Sequence, residues 1–300
     1  MRSIGDTKEV RYLVPALMVE PNRMRVAAIQ MPVLMDVAMN LQHLKAAVNS
    51  LQPGTLAVAP EGCLSGYLPE PGMVSRLCGN ATANAIETVH DLAKQVGVHL
   101  IAGACVSIDG TWRNASYYLG PSGERRRYDK INLATSERGD FVPGDELPVL
   151  DLSVNGFNVR VGIQMCRELR YPEQWRHLAQ QGAQIIAYVN NAIGNPDGPT
   201  LWRAHVMSRA AENQRFVVGA NNAAIDQGCT SLIVAPSGKV LAEAKVGAVS
   251  TITAEIDLSE VSDWIINQAR TDVVSVEAQR ERKIRSSKLA VFPGVSQSAS

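Results

Sequence analysis

Three residues in this chain have types and settings that fit together as chemistry. They are Glu61 in A-P-E-G, Lys130 in Y-D-K-I-N-L and Cys166 in M-C-R-E-L-R-Y-P-E. A neutral thiol is a poor nucleophile, so Cys166 needs a positive neighbour or a base that takes its proton. Glu61 is the candidate base, because a carboxylate near apolar neighbours has a raised pKa and can accept a thiol proton and return it to a leaving group. Lys130 offers a fixed positive charge where a tetrahedral oxyanion would form, and the backbone N–H of Arg167 is a candidate second donor. Such a set performs acyl transfer through a covalent thioester and needs no metal and no cofactor. Each residue also has a plainer reading: Cys166 as a small buried hydrophobe, and Glu61 with Lys130 as a structural ion pair.

The elements around Cys166 show how a thiol would be presented. Phe157, Val159, Val161, Ile163 and Met165 alternate with Asn158, Arg160, Gly162 and Gln164, a period of two that predicts a strand. Pro172 suits the first turn of a helix and Glu173 complements its positive end, with Trp175, Leu178 and Ala179 at helical spacing and Gly182 closing it. Cys166 therefore stands where a strand turns into a helix, beside freed backbone N–H groups.

Along the chain, residues 1–23 read as an N-terminal extension, a strand opens at Met24, and Asn40 is placed to cap a helix carrying Leu41, Leu44 and Val48. Thr55–Ala59 reads as a short buried strand stopped by Pro60, so Glu61 stands at its C-terminal end. A loop rich in Gly and Pro leads to a helix over Ala83–Val96. Val98–Val106, Trp112–Leu119 and Glu124–Ile131 form a meander, and a loop spans Asn132–Gly144. After the Cys166 strand and helix come a strand over Gln184–Val189 and a helix capped by Thr200. Strands over Arg215–Asn221, Thr230–Ala235, Val240–Ala244 and Ser250–Ile256 precede a short helix over Leu258–Ile266. About ten strands and five or six helices are too many for one sheet, and two packed mixed sheets with helices outside each is the economical α/β layering. No repeat or linker divides the chain, which reads as one domain over 24–279 with a basic, then Ser-rich tail over 280–300.

Composition removes several function classes. The 300 residues carry a net charge of zero, with no basic or acidic bias toward nucleic acid or an anionic membrane. No apolar run approaches the roughly 20 residues of a membrane span. The five cysteines are odd in number and lack C-x-x-C spacing, which favours reduced thiols in a cytoplasmic protein over a disulfide framework or a zinc site. The histidines at 43, 90, 99, 177 and 205 carry no partner signature, so a Cys–His hydrolase is disfavoured.

The order Glu61, Lys130, Cys166 with these flanks resembles the nitrilase superfamily of carbon–nitrogen hydrolases. V-A-A-I-Q near the start, E-G-C-L-S-G-Y at Glu61, E-R-G-D-F-V-P-G-D-E from Glu137 and R-A-A-E-N-Q-R-F-V-V-G-A-N-N from Arg209 extend the likeness over roughly residues 24–270. The resemblance implies a four-layer α-β-β-α sandwich, usually paired through helices into a homodimer. It also implies that Glu137 is a second active-site glutamate that orients Lys130; a solvated loop charge is the plain alternative. C-R-E at Cys166 is nearer the amidases of the superfamily than its nitrilases. L-R-Y-P-E resembles the L-R-F-P-E of omega-amidases, whose substrates carry a carboxylate, which makes Arg170 a candidate carboxylate partner; pairing of Arg170 with Glu168 or Glu173 is the plain alternative. N-N-A-I-G at Asn190–Gly194 looks more like N-carbamoyl amine hydrolases. Arg167, Arg170 and Asn191 are thus the candidate substrate-binding residues. The expected activity is hydrolysis of a small linear amide through a Cys166 thioester. The alternatives are a nitrilase or N-carbamoyl amine hydrolase of the same fold, or a non-catalytic binding protein. Neither Glu61 nor Lys130 is expected in the core.

Overall fold

Parallel strands covered on both faces form the centre of the molecule, in two trios. The computed structural model describes residues 22–192 and 198–270. Residues 1–21, Ile193 and Gly194 of N-N-A-I-G, and the expected tail over 280–300 lie outside them. Strands β1 (Arg23–Gln30), β2 (Leu56–Val58) and β3 (His99–Ile108) run parallel. Around them β4 (Thr111–Leu119), β5 (Arg125–Asp129) and β12 (Ser250–Asp257) complete a six-stranded mixed sheet of order β12-β1-β2-β3-β4-β5. The second sheet repeats the plan. Parallel β7 (Phe157–Met165), β8 (Ile185–Val189) and β9 (Phe216–Ala220) are flanked by β6 (Val149–Val154), β10 (Leu232–Val234) and β11 (Val240–Glu243), in the order β11-β10-β9-β8-β7-β6.

The period of two sorts each strand between layers. On β1, Val26 and Ala28 face the second sheet and meet the side of β7 that carries Val161 and Ile163, while Ala27 and Ile29 face helices α1 (Val37–Asn49) and α2 (Gly79–Val96). Outside the second sheet, α3 (Pro172–Gln180) and α4 (Gly198–Asn213) pack Trp175, Leu178 and Val206 against Ile186 and Val217. This is the α-β-β-α sandwich of two mixed sheets. Each fully buried Val, Leu or Ile contributes about 1.5–3 kcal/mol, so the inter-sheet layer holds the strand ends rigidly. No helix among the described residues is long and apolar enough to cross a membrane.

Several local expectations are corrected. Asp36, not Asn40, caps α1, its carboxylate accepting from the Met39 N–H at 3.0 Å; Asn40 is buried and bonds back to Leu34. Helix α4 begins at Gly198, so Thr200 lies inside its first turn. The last helix breaks at Val261 into a 3₁₀ turn over Leu258–Glu260 and a short α5 (Trp264–Asn267), because Asp257 caps the first piece on Ser259. The strand pairing with β7 at the sheet edge, β6, lies in a stretch assigned no element from sequence, and it brings the described strands to twelve.

The carboxyl ends of both parallel trios come together at one edge. The Glu61 N–H, just past β2, donates to the Asn190 carbonyl just past β8 at 3.2 Å, and the Ala223 N–H past β9 donates to the carbonyl of Met31 past β1 at 2.9 Å. Open α/β sheets bind ligands at such carboxyl ends.

Candidate active site

Pro60 has no N–H to continue the ladder, so β2 ends and the chain turns at Glu61. Gly103 of β3 makes that turn possible, since a Cβ there would lie 2.6 Å from the Glu61 Cα and 2.7 Å from the Pro60 carbonyl. Lys130 follows β5 and is pinned through its backbone: its N–H donates to Asn114 at 2.9 Å, and its carbonyl accepts from Gly144 at 3.0 Å.

From these anchors the Lys130 ammonium reaches Glu61 Oε1 at 2.7 Å and Glu137 Oε1 at 2.9 Å. Asn114 Nδ2 lies 2.7 Å from each of the same two oxygens, and the Tyr67 hydroxyl donates to Glu137 Oε1 at 2.9 Å. Glu137 Oε2 accepts from the Ala134 N–H. One oxygen is left over: Glu61 Oε2 is buried and has no hydrogen-bond partner among the described residues.

Glu61 and Lys130 have no solvent exposure, contrary to the expectation that neither is core. A buried ammonium survives when it is paired and hydrogen-bonded, which two carboxylates achieve here. Burial and the nearby Glu137 push the Glu61 carboxyl up, and Lys130 only partly offsets this. Burial also acts to raise Glu137, but Lys130 and the bonds from Ala134 and Tyr67 hold it below the ordinary carboxylate range. Burial works to depress the Lys130 ammonium, and the two carboxylates more than reverse it.

Cys166 begins a 3₁₀ turn over Cys166–Arg170 and has a backbone φ of 41°, a left-handed conformation that costs a residue with a Cβ energy and that surrounding bonds must hold. The Tyr188 hydroxyl donates to the Cys166 carbonyl at 2.8 Å, and the Trp202 indole donates to that hydroxyl at 2.9 Å. The Cys166 sulfur lies 3.8 Å from the Asn191 carbonyl. Burial and the charges of Glu61 and Glu137 push the thiol up, with Lys130 opposing them. Such a thiol is not ionised beforehand, and its attack requires a base at the moment of reaction.

Of the residues singled out from sequence, the fold brings Glu61, Lys130 and Glu137 into direct contact, and all three charges act on the Cys166 thiol. Asn191 lies beside the sulfur, its Oδ1 accepting from Asn222 at 3.2 Å and its buried Nδ2 unpaired among the described residues. Arg167 is half-buried, with Nη1 on the Leu133 carbonyl at 3.3 Å. Arg170 is exposed and its guanidinium sits 5.3 Å from the centre of the Trp202 ring; Glu168 is committed elsewhere. Sequence reasoning missed Asn114 and Tyr67. Asn114 is the one amide in β4, T-W-R-N-A-S-Y-Y-L, and Tyr67 closes the E-G-C-L-S-G-Y motif, which was the available signal. The other thiols differ from the half-buried Cys166 in exposure: Cys63, Cys105 and Cys229 are buried, and Cys78 is exposed. No His, Cys, Asp or Glu cluster among the described residues could hold a metal.

Comparison with known proteins agrees with this geometry. Residues 25–266 match the family model described as carbon-nitrogen hydrolase. An (R)-stereoselective amidase from Pseudomonas is 33% identical over 232 residues, spanning 75% of this chain and 82% of that protein. A nitrilase from Pyrococcus abyssi is 34% identical over 182 residues, 59% of this chain and 66% of its own. Among solved structures, an amidase from Nesterenkonia superposes with a TM-score of 0.72 over 86% of this chain and 97% of its own, at 22% identity, a likeness of fold.

Proposed function

The chain belongs to the carbon–nitrogen hydrolase family, and from that premise we propose that it hydrolyses the C–N bond of a small linear amide through a Cys166 thioester, with Glu61 as proton carrier. The observation that carries the assignment of the base is the idle oxygen. Among the described residues Glu61 Oε2 has no partner, while Oε1 and both Glu137 oxygens are taken by Lys130, Asn114, Tyr67 and the Ala134 N–H. A carboxylate with a raised pKa and a free lone pair is suited to take a proton and give it back.

In this reading Glu61 Oε2 takes the thiol proton as the Cys166 sulfur attacks the amide carbon. The Lys130 ammonium and the Arg167 N–H, in the first turn of the 3₁₀ segment where N–H groups lack partners, stabilise the oxyanion. Collapse breaks the C–N bond while Glu61 returns its proton to the departing nitrogen, which leaves as ammonia or amine. Water then attacks the thioester with Glu61 again as base, the carboxylic acid departs, and the proton goes back to sulfur. Glu137, with both oxygens engaged, holds Lys130 in aim.

Arg167, Arg170 and Asn191 are proposed to contact substrate. Asn191 has the strongest support, its carbonyl being next to the sulfur and its buried Nδ2 unpaired among the described residues. Residues 24–279 form the catalytic unit in this proposal, with 1–23 and 280–300 as appendages. The outer helices α3 and α4 are the surfaces through which a homodimer would form. The five free thiols support a cytoplasmic setting.

The deciding experiment is an ammonia-release assay on linear amides, nitriles and N-carbamoyl amines, with wild type and Cys166→Ala. Amide turnover lost in the variant is the expected result. Preference for nitriles or N-carbamoyl amines moves the assignment to those relatives, and turnover of none between about pH 6 and 9 leaves a non-catalytic binding protein.

A further inference from the structure

Glu168, two residues past the nucleophile, is fully buried and plays no part in the chemistry above. Its Oε1 accepts from the N–H of Ile131 at 2.9 Å and of Asn132 at 3.0 Å, the two residues that follow Lys130. Its Oε2 accepts from the N–H of Met165 at 2.8 Å, the residue before Cys166. The Tyr128 hydroxyl lies 2.9 Å from both oxygens and comes from β5, two residues before Lys130.

One side chain thus grips the segment that ends in Lys130 and the segment that ends in Cys166. These belong to different sheets: β5 to the first and β7 to the second. Three backbone N–H groups and a phenol converge on two oxygens, a set of donors matched by a carboxylate, which accepts only. We propose that Glu168 is a positioning residue that fixes the distance between the Lys130 ammonium and the Cys166 sulfur across the two sheets, so that the oxyanion forms opposite the charge. The inference rests on the amide-hydrolysis reading, since it assumes that Lys130 and Cys166 act on one substrate. Misplacement of reacting groups by about 1 Å costs on the order of 10²-fold in rate, so a brace between separate sheets has a large kinetic effect without touching substrate.

Glu168→Gln tests this with little change in size. Whichever way the amide lies, its NH₂ faces a backbone N–H, either that of Met165 or those of Ile131 and Asn132. The expected result on an amide substrate is a kcat at least about 10-fold lower with KM within about 2-fold. Alkylation of Cys166 by iodoacetamide should slow at neutral pH, its pH profile moving upward as the thiol loses the Lys130 charge. A variant that melts earlier but keeps wild-type kcat and the wild-type alkylation profile overturns the proposal and leaves Glu168 a purely structural residue. Should Glu168→Gln fail to fold, Tyr128→Phe removes one donor and keeps three; slower alkylation with lower kcat supports the brace, and unchanged values overturn it. Alkylation needs no amide, so a wild type that labels at Cys166 yet hydrolyses nothing sinks the reaction while the alkylation comparison still decides the brace.

Discussion

Two buried carboxylate sites flank the short segment Lys130–Asn132, and they are neutralised by different means. On one side Glu61 and Glu137 share an ammonium and an amide, and one of their four oxygens is left idle among the described residues. On the other, Glu168 has no cation in contact among the described residues, and both of its oxygens are filled by backbone N–H groups and a phenol. The difference teaches what each can do. A carboxylate with a vacant lone pair beside a nucleophile can carry a proton, whereas a saturated one can only hold what surrounds it.

The comparison breaks hardest at Lys130. Lys130→Met leaves two buried carboxylates without their cation, so it should lower kcat by about 10²–10³-fold and also destabilise the fold by about 3–5 kcal/mol. Steady-state assay with urea unfolding checks both; a drop in rate with unchanged stability would mean that the pair is not electrostatically essential to the fold. Glu61→Gln is next in size. It removes the proton carrier and keeps the hydrogen bonding, so turnover should fall by at least about 10²-fold, and a variant that retains most of its activity moves the base to Glu137.

The two glutamates of the cluster should also differ in how they tie stability to pH. Glu137 is held below the ordinary range, so its contribution is present above that range and lost as pH falls through its lowered value. Glu61 is raised, so its contribution is present at acid pH and lost as pH rises through its raised value. At neutral pH, Glu137→Gln should therefore unfold at lower urea than wild type and Glu61→Gln at equal or higher urea. Both differences should shrink toward acid, and slopes of the same sign in the two variants would contradict the assignment. The smallest effect is expected at Arg170. Its guanidinium rests on Trp202, so Arg170→Ala should shift KM for a neutral amide by less than about 3-fold. A much larger shift confined to carboxylate-bearing amides would identify it as their partner.

Much of this was legible in the sequence because alternation is a direct record of layers. The apolar set of β7, with Pro172 and Gly182 beyond it, fixes where Cys166 must turn, and Pro60 does the same for Glu61. Edge strand β6 was not read, although V-L-D-L-S-V alternates, because it follows a long unpatterned loop and pairs only on one side. Asn114 and Glu168 were invisible for another reason. A single amide in a strand, or an acid in a turn, has no local period, and its partners are about 20 to 50 residues away. Burial of Lys130 was misjudged on the same ground, since a charge is admitted to a core only by partners that the fold supplies.

Enclosure of the Glu61 carboxyl also decides who can share in the proton traffic. With no exposed surface, the Glu61 carboxyl has no direct contact with bulk solvent in this structure. If Glu61 is the proton carrier proposed above, acylation should depend little on buffer concentration at fixed pH. In that reading the protein carries its own buffer in a single buried carboxyl.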